Sequence, residues 1–425
     1  MPHQLTGRPE GPLSATDKAL PPQADGLTAE QFLATAPRLS SLATPLLTLS
    51  EPAIAANVET LAAWSSDHGI ALSPHGKTTM SPVLWRRQLE AGAHSITVAN
   101  YPQLRVAVAA GVRRIQVAND LVDPAALRWL TEAVDTDPEL EVMVWADSLE
   151  SVAVLRDHFT GSRPLTVLAE LGGAHGRTGA RSVEVAVAIG RALAEAGNLR
   201  LGGVAGYEGA LAHDPTPEAV AAVDAFLRRM AATHQALLDA GSYPADGEIV
   251  LTAGGSAYFD RVAAVLAPLA FDRVRVVIRS GAYVIHDSGF YTAMTPFART
   301  DDGATYHLTP AMTAWARVVS RPEPGLALLD VGKRDVSFDE GMPTVLGVAA
   351  QLGAPRRELE GAQVTAVNDQ HAFVQLPAEA DLAVGEVAAL GLSHPCTALD
   401  KWRTIPVLAD DSDDPVVADL LTTYF

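Results

Sequence analysis

Between Ile70 and Tyr283 eight short apolar runs alternate with helix-forming stretches, and this alternation restricts the possible folds more than any other feature of the chain. The runs span residues 70–74, 95–100, 114–119, 141–147, 165–171, 201–208, 248–254 and 274–279. Stretches between them, such as 82–91, 102–110, 182–196, 217–240 and 257–267, have the composition and length of helices, and several open with Pro or Ser. Alternating strands and helices build parallel sheets, and eight strands close a (β/α)8 barrel of the TIM type. An open doubly wound sheet is the rival, but its usual Gly-rich turn after the first strand is missing here. The predicted fold class is α/β.

A parallel barrel places its active site at the carboxyl ends of the strands. In order, those ends carry His75 and Lys77, Asn100, Asn119, Asp147, His175 and Arg177, Tyr207 and Glu208, Gly254-Gly255-Ser256, and Ser280-Gly281 with Tyr283. Beyond about residue 290 the pattern changes to short β-branched runs at 312–320, 326–331, 363–367, 371–376 and 386–390, separated by Gly and Pro. The chain therefore divides into an N-terminal arm (1–43), a barrel (44–290) and an all-β C-terminal domain (291–425). The run 45–50 is placed to join that β domain, which is then built from both ends of the chain. Residues 1–30, rich in Pro, Gly and Gln, read as a loose arm or an irregular wrap over a neighbour.

With 425 residues, 48% of them hydrophobic, the chain buries a large core. Its formal charge of −19 repels phosphate backbones and anionic lipid, so small solutes are the expected partners, with no nucleic acid and no membrane. No run of 18 apolar residues is present, residues 1–24 lack the continuous apolar core of a secretory signal, and a cytoplasmic location is expected. The single cysteine, Cys396, cannot form an intrachain disulfide, which leaves its thiol free for metal or packing.

A lysine at the end of the first barrel strand reaches the mouth, where desolvation and nearby positive charge lower its pKa enough for an imine with an aldehyde. Lys77 stands there, within Pro74-His75-Gly76-Lys77-Thr78. This stretch resembles the lysine motif of the D-serine dehydratase and D-threonine aldolase family, whose barrel is of the alanine racemase type. The resemblance continues through Gly176-Arg177-Thr178-Gly179, Tyr207-Glu208-Gly209, Gly254-Gly255-Ser256, Arg279-Ser280-Gly281-Ala282-Tyr283, Asp330-Val331-Gly332-Lys333 and His394-Pro395-Cys396, so it spans residues 44 to about 404.

The resemblance implies that pyridoxal 5'-phosphate is carried on Lys77 as an imine. His75 belongs to the same cofactor motif, Arg177 donates a hydrogen bond to the pyridine nitrogen, and Tyr207 sits beside the ring. It also implies a phosphate cradle of backbone N–H groups and a hydroxyl from Gly255, Ser256, Gly281 and Ala282, with Tyr283 nearby. An arginine at the ring nitrogen keeps that nitrogen unprotonated and weakens the electron sink, so a metal on the substrate's β-hydroxyl is a useful complement. His394 and Cys396, two apart, share one face if the segment is an extended strand and can then hold one ion. Two ligands are fewer than the usual three or four, but the pair is similar to the family's C-terminal metal motif. A thiolate ligand favours Zn2+ over Mn2+ or Mg2+.

His-x-Cys resembles the zinc-dependent dehydratases of the family, whereas the aldolases tend to have His-x-Asp. His213 resembles the histidine with which the aldolases take the proton from the β-hydroxyl. Ser73, Thr79 and Ala210 depart from the family pattern close to the site. The implied activity is a lyase reaction on a D-β-hydroxy amino acid in a homodimeric enzyme, with D-serine dehydration leading and retro-aldol cleavage of D-threonine or another D-3-hydroxy amino acid as the alternative. A racemase and a non-enzymatic pyridoxal-phosphate protein rank below. Asp330, Lys333 and Asp339 receive no individual role.

Overall fold

The computed structural model describes residues 4–174 and 176–425. His175, one of the strand-end groups, lies outside the described residues. Eight parallel strands form one sheet: Ala71–Leu72, Ile96–Val98, Arg114–Asp120, Glu141–Ala146, Leu165–Leu171, Leu199–Gly206, Ile249–Ala253 and Val274–Ile278. Each pairs with its sequence neighbour, and the last returns to the first through Ala71↔Val277 and Leu72↔Ile278. A parallel bridge between His75 and Thr97 completes the ring. The eight strands anticipated from the apolar runs are these eight, with ends shifted by a few residues.

The intervening helices start where the chain supplies a cap. Ser182 accepts from Val185 N–H ahead of Val183–Glu195, and Thr216 accepts from Ala219 N–H ahead of Pro217–Asp239, whose Pro occupies the first turn. Their apolar faces cover the strands, with Leu193, Phe226, Leu227 and Met230 in the main core.

The second sheet has nine strands. Leu46–Ser50 lies inside it, antiparallel to Met312–Glu323 and parallel to Thr404–Leu408. The runs at 312–320, 326–331, 363–367, 371–376 and 386–390 all appear as strands. Three further strands were not legible, for local reasons. Thr404–Leu408 carries Pro406 in its middle, Val417–Thr422 carries a nearly buried Asp419, and Thr344–Ala349 is broken in register at Gly347.

From residue 4 onward the N-terminal segment packs against its own chain and is not loose. Leu5 N–H donates to Ala109 O at 3.0 Å, Leu13 is buried in a core with Leu46, Trp315 and Leu420, and a capping box at Thr28 and Gln31 starts the helix Ala29–Ala34. Arg8 grips Asp419 through both carboxylate oxygens, at 2.9 Å from Nε and 2.9 Å from Nη2. Lys18 pairs with Asp335 at 2.8 Å and covers the Trp402 ring at 3.7 Å. Among the described residues no helix is long and apolar enough to cross a membrane.

Candidate active site

The first barrel strand ends after two residues, and the chain turns through the short 3-10 segment Gly76–Thr78, which carries Lys77. Only glycine fits at 76, because a Cβ there would lie 2.8 Å from the Trp85 ring, whose Nε1–H donates to the Gly76 carbonyl at 3.2 Å. Ser73, at one of the departures from the family pattern, joins a buried hydroxyl chain with Thr97 at 2.8 Å and Ser95 at 2.7 Å. The Lys77 ammonium has no hydrogen-bonding partner among the described residues. Burial lowers its pKa, opposed by the Cys396 thiolate and assisted by the Arg177 and Arg279 guanidinium groups. That favours the neutral amine an imine requires.

His75 is held well below its usual range by burial first, then by Lys77, Arg279 and Arg177, so its imidazole is neutral. Its Nδ1 is buried without a hydrogen-bonding partner. Arg177 lies over the Tyr207 ring, 4.6 Å from its centroid. Arg279 received no role from the sequence, yet it is buried at the centre of this cluster. It donates to Thr252 Oγ1 and to Gly206 O, both at 2.7 Å, and stacks on Trp145 at 4.8 Å. Burial lowers its pKa to about 10. The signal for it was present: an arginine closing an apolar strand must be paired or must serve a site.

Two loops face each other at the ends of the last two strands. Ala282 N–H donates to Ser256 Oγ at 3.2 Å, and Ser280 Oγ donates to Gly255 O at 2.8 Å. Gly281 packs so closely that a Cβ would lie 2.5 Å from the His75 carbonyl oxygen. The Gly254 and Gly255 N–H groups donate to the buried Glu208 carboxylate at 2.8 and 3.2 Å, so Glu208 fixes this loop and occupies the Gly255 N–H. Tyr283 is fully buried, with its hydroxyl held by Gln88 Nε2 at 3.0 Å, and anchors its loop to the helix Pro82–Glu90.

Across the mouth, Asp120, Asp147 and Glu170 bring carboxylate oxygens within 4.8 Å of one another. Burial, reinforced by Asp120, raises Glu170 to about 8, and burial with Asp147 raises Asp120 to about 6. Like charges this close disfavour ionisation of Glu170 and Asp120.

The expected metal pair, His394 and Cys396, lies in the β domain. The expectation that His394 and Cys396 project from an extended strand is overturned: His394 is left-handed, with φ 59°, and Pro395–Leu399 is a short helix. Pro395 is the reason, since its fixed φ suits the first helical position and it has no N–H to give a strand ladder. The turn nevertheless brings the two side chains close enough for each to shift the other's pKa. Burial opposes charge on both. Cys396 and Asp339 outweigh it and hold His394 up at about 9, while His394, Thr78 and Lys77 outweigh it and lower the Cys396 thiol. Cys396 Sγ reaches Thr78 Oγ1 at 3.3 Å, one residue from Lys77. His394 Nδ1 contacts Asp339 Oδ2 at 2.6 Å, which gives Asp339 the role the sequence left blank. Asp330 instead accepts from Thr44 Oγ1 and Arg317 N–H, both at 2.7 Å, a structural tie, and Lys333 lies over Phe338.

Tyr291 was also missed. It stacks edge-on against His394 at 6.4 Å, and burial with Cys396 and Tyr207 close by raises its pKa. His213 lies on an exposed loop beside Asp214, with no contact to Lys77, His394 or Cys396 among those of the described residues.

The residues fit the two groups the resemblance implies. A neutral-prone amine, a buried imidazole nitrogen without a partner, and a hydroxyl facing a backbone N–H suit pyridoxal phosphate. A thiol of lowered pKa near an imidazole that is held by a carboxylate is suited to act as a pair of metal donors.

Residues 311–408 match a family model described as a putative serine dehydratase domain. The chain is 27% identical over 360 residues to a D-threonine aldolase of Arthrobacter sp, covering 84% of this chain and 86% of that one. It is 26% identical over 315 residues to a 3-hydroxy-D-aspartate aldolase of Paracoccus denitrificans, covering 72% and 76%. Among solved structures, D-threonine aldolase from Filomicrobium marinum superposes with a TM-score of 0.76 at 22% identity, covering 91% of this chain and 96% of that one. D-threo-3-hydroxyaspartate dehydratase from Delftia sp. HT23 gives 0.70 at 22% identity, covering 91% and 98%. An alanine racemase-like protein from Idiomarina loihiensis gives 0.70 at 17%, covering 90% and 96%. Residues 311–408 thus carry the serine dehydratase-type domain, the chain is similar in sequence to D-threonine and 3-hydroxy-D-aspartate aldolases, and its fold is of the alanine racemase type.

Proposed function

We propose that the protein is a pyridoxal-phosphate lyase of D-β-hydroxy amino acids, assisted by a divalent metal, and that it dehydrates D-serine to pyruvate and ammonia. The observation that carries this reading is the contact between Cys396 Sγ and Thr78 Oγ1 at 3.3 Å, which sets the metal pair one residue from Lys77. Pyridoxal phosphate, when bound, supplies the electron sink that makes the substrate's α-carbon acidic. Zn2+ held by His394 and Cys396 supplies a Lewis acid for the departing hydroxyl. Lys77 Nζ, whose pKa is lowered by burial and by Arg177 and Arg279, takes the α-proton. Neutral His75, Arg177 and Tyr207 would hold the cofactor ring, Ser256 and the Ala282 N–H would hold its phosphate, and Asp339 holds the His394 ring in place.

Dehydration is favoured over aldol cleavage because the thiolate donor suits zinc, and because His213, the base that cleavage calls for, is exposed and is not among the groups that act on Cys396. A dehydratase of similar fold is described in a metal-free form, which supports a metal here. The second reading, cleavage of a D-3-hydroxy amino acid to glycine and an aldehyde, is favoured by the names of the curated relatives. Incubation with D-serine and D-threonine, with and without chelator, tests the choice. His213→Ala adds an independent arm: under the cleavage reading it abolishes glycine formation.

A further inference from the structure

We propose that Asp287 is a positioning residue for the metal pair: it fixes the backbone from which His394 projects, as Asp339 fixes the ring. The inference rests on the reading of His394 and Cys396 as metal ligands. Asp287 is fully buried in the loop after the last barrel strand. Its Oδ1 accepts from the N–H groups of Gly289, Tyr291 and Thr292 at 3.0, 2.9 and 3.3 Å, while Oδ2 accepts from His394 N–H at 2.9 Å. One carboxylate thus joins the barrel loop that carries Tyr291 to the β-domain turn that carries the metal pair.

The geometry asks for such a clamp. His394 is a non-glycine residue at φ 59°, a conformation kept only where its surroundings enforce it. Two further hydrogen bonds across the seam between loop and turn join neutral groups: Ser288 N–H to Leu392 O at 2.9 Å and Phe290 N–H to Ser393 Oγ at 2.9 Å. Asp287 supplies its charge, and charge-assisted hydrogen bonds are about twice as strong as neutral ones. Metal–ligand distances tolerate only about 0.2 Å of error, so a rotation of the 394 backbone that swings the imidazole costs affinity even though Asp287 touches no metal.

Asp287→Asn retains the shape but replaces one acceptor oxygen with an N–H donor. Either the three loop N–H groups or His394 N–H then faces another donor. The expected result is a loss of Zn2+ affinity on the order of 10- to 100-fold, as for other outer-shell partners. It should be read on cofactor-loaded protein by competition with a chelating dye, and in the Co2+-substituted form by a weakened thiolate charge-transfer band. The imine absorbance at Lys77 should persist, which a general loss of structure would not allow. Asp287→Glu, which keeps the charge but moves it by one methylene, should show the same direction and carries the test if the Asn variant does not fold. Zn2+ affinity within twofold of the parent in a folded variant overturns the role of Asp287. A parent protein that binds no Zn2+ and shows no thiolate band with Co2+ overturns the metal reading itself.

Discussion

His394 Nδ1 and Asp339 Oδ2 lie 2.6 Å apart, which commits one ring nitrogen to the carboxylate and leaves Nε2 for the side of Cys396. Asp339 also accepts from Thr397 Oγ1 at 2.7 Å, so it is itself held in place. This carboxylate–imidazole arrangement is the usual backing of a metal-bound histidine. Replacing Asp339 with Asn should lower Zn2+ affinity by about 10- to 100-fold, measured by chelator competition, with the Lys77 imine band unchanged.

Arg279 makes a prediction with two readouts. Arg279→Met leaves Thr252 Oγ1 and the Gly206 carbonyl without their donor, at a cost of about 2–4 kcal/mol in urea unfolding. It also removes a cation that lowers the Lys77 pKa, so the amine becomes harder to deprotonate. Cofactor loading, followed by absorbance against pH, should shift to higher pH.

The acidic trio gives stability a definite pH dependence. Burial and Asp120 raise Glu170 from 4.5 to about 8, so between these values the folded protein holds a proton that the unfolded chain releases. The folded state binds more protons, and stability falls as pH rises through that window. Glu170→Gln is neutral at every pH. Its stability relative to the parent should therefore climb across the same window, by on the order of a few kcal/mol above about pH 8, and should match the parent below about pH 4. Thermal melts over pH would show this, and a difference that stays flat with pH would contradict it.

The sequence exposed the barrel because each strand is a compact apolar run followed by a capped helix, and those signals are local. The strand Val417–Thr422 escaped notice because Asp419 looks incompatible with burial until Arg8, more than four hundred residues away, neutralises it. The turn at His394 escaped for a similar reason: its left-handed backbone depends on Asp287, from the barrel loop. Lys77, Arg177, Tyr207 and the Gly255 and Gly281 loops were readable as motifs. Tyr291, Asp287 and the contact of Asp339 with His394 were not, since their importance comes from contacts between segments and not from any pattern within one.

The central claim is that the metal pair beside Lys77 directs loss of the β-hydroxyl. It is tested most directly by incubating the zinc-loaded holoenzyme with D-serine and, separately, D-threonine, and assaying keto acid against glycine plus aldehyde. The account predicts pyruvate and ammonia from D-serine, abolished by chelator and restored by Zn2+. Glycine and acetaldehyde from D-threonine, with no pyruvate from D-serine, would contradict it.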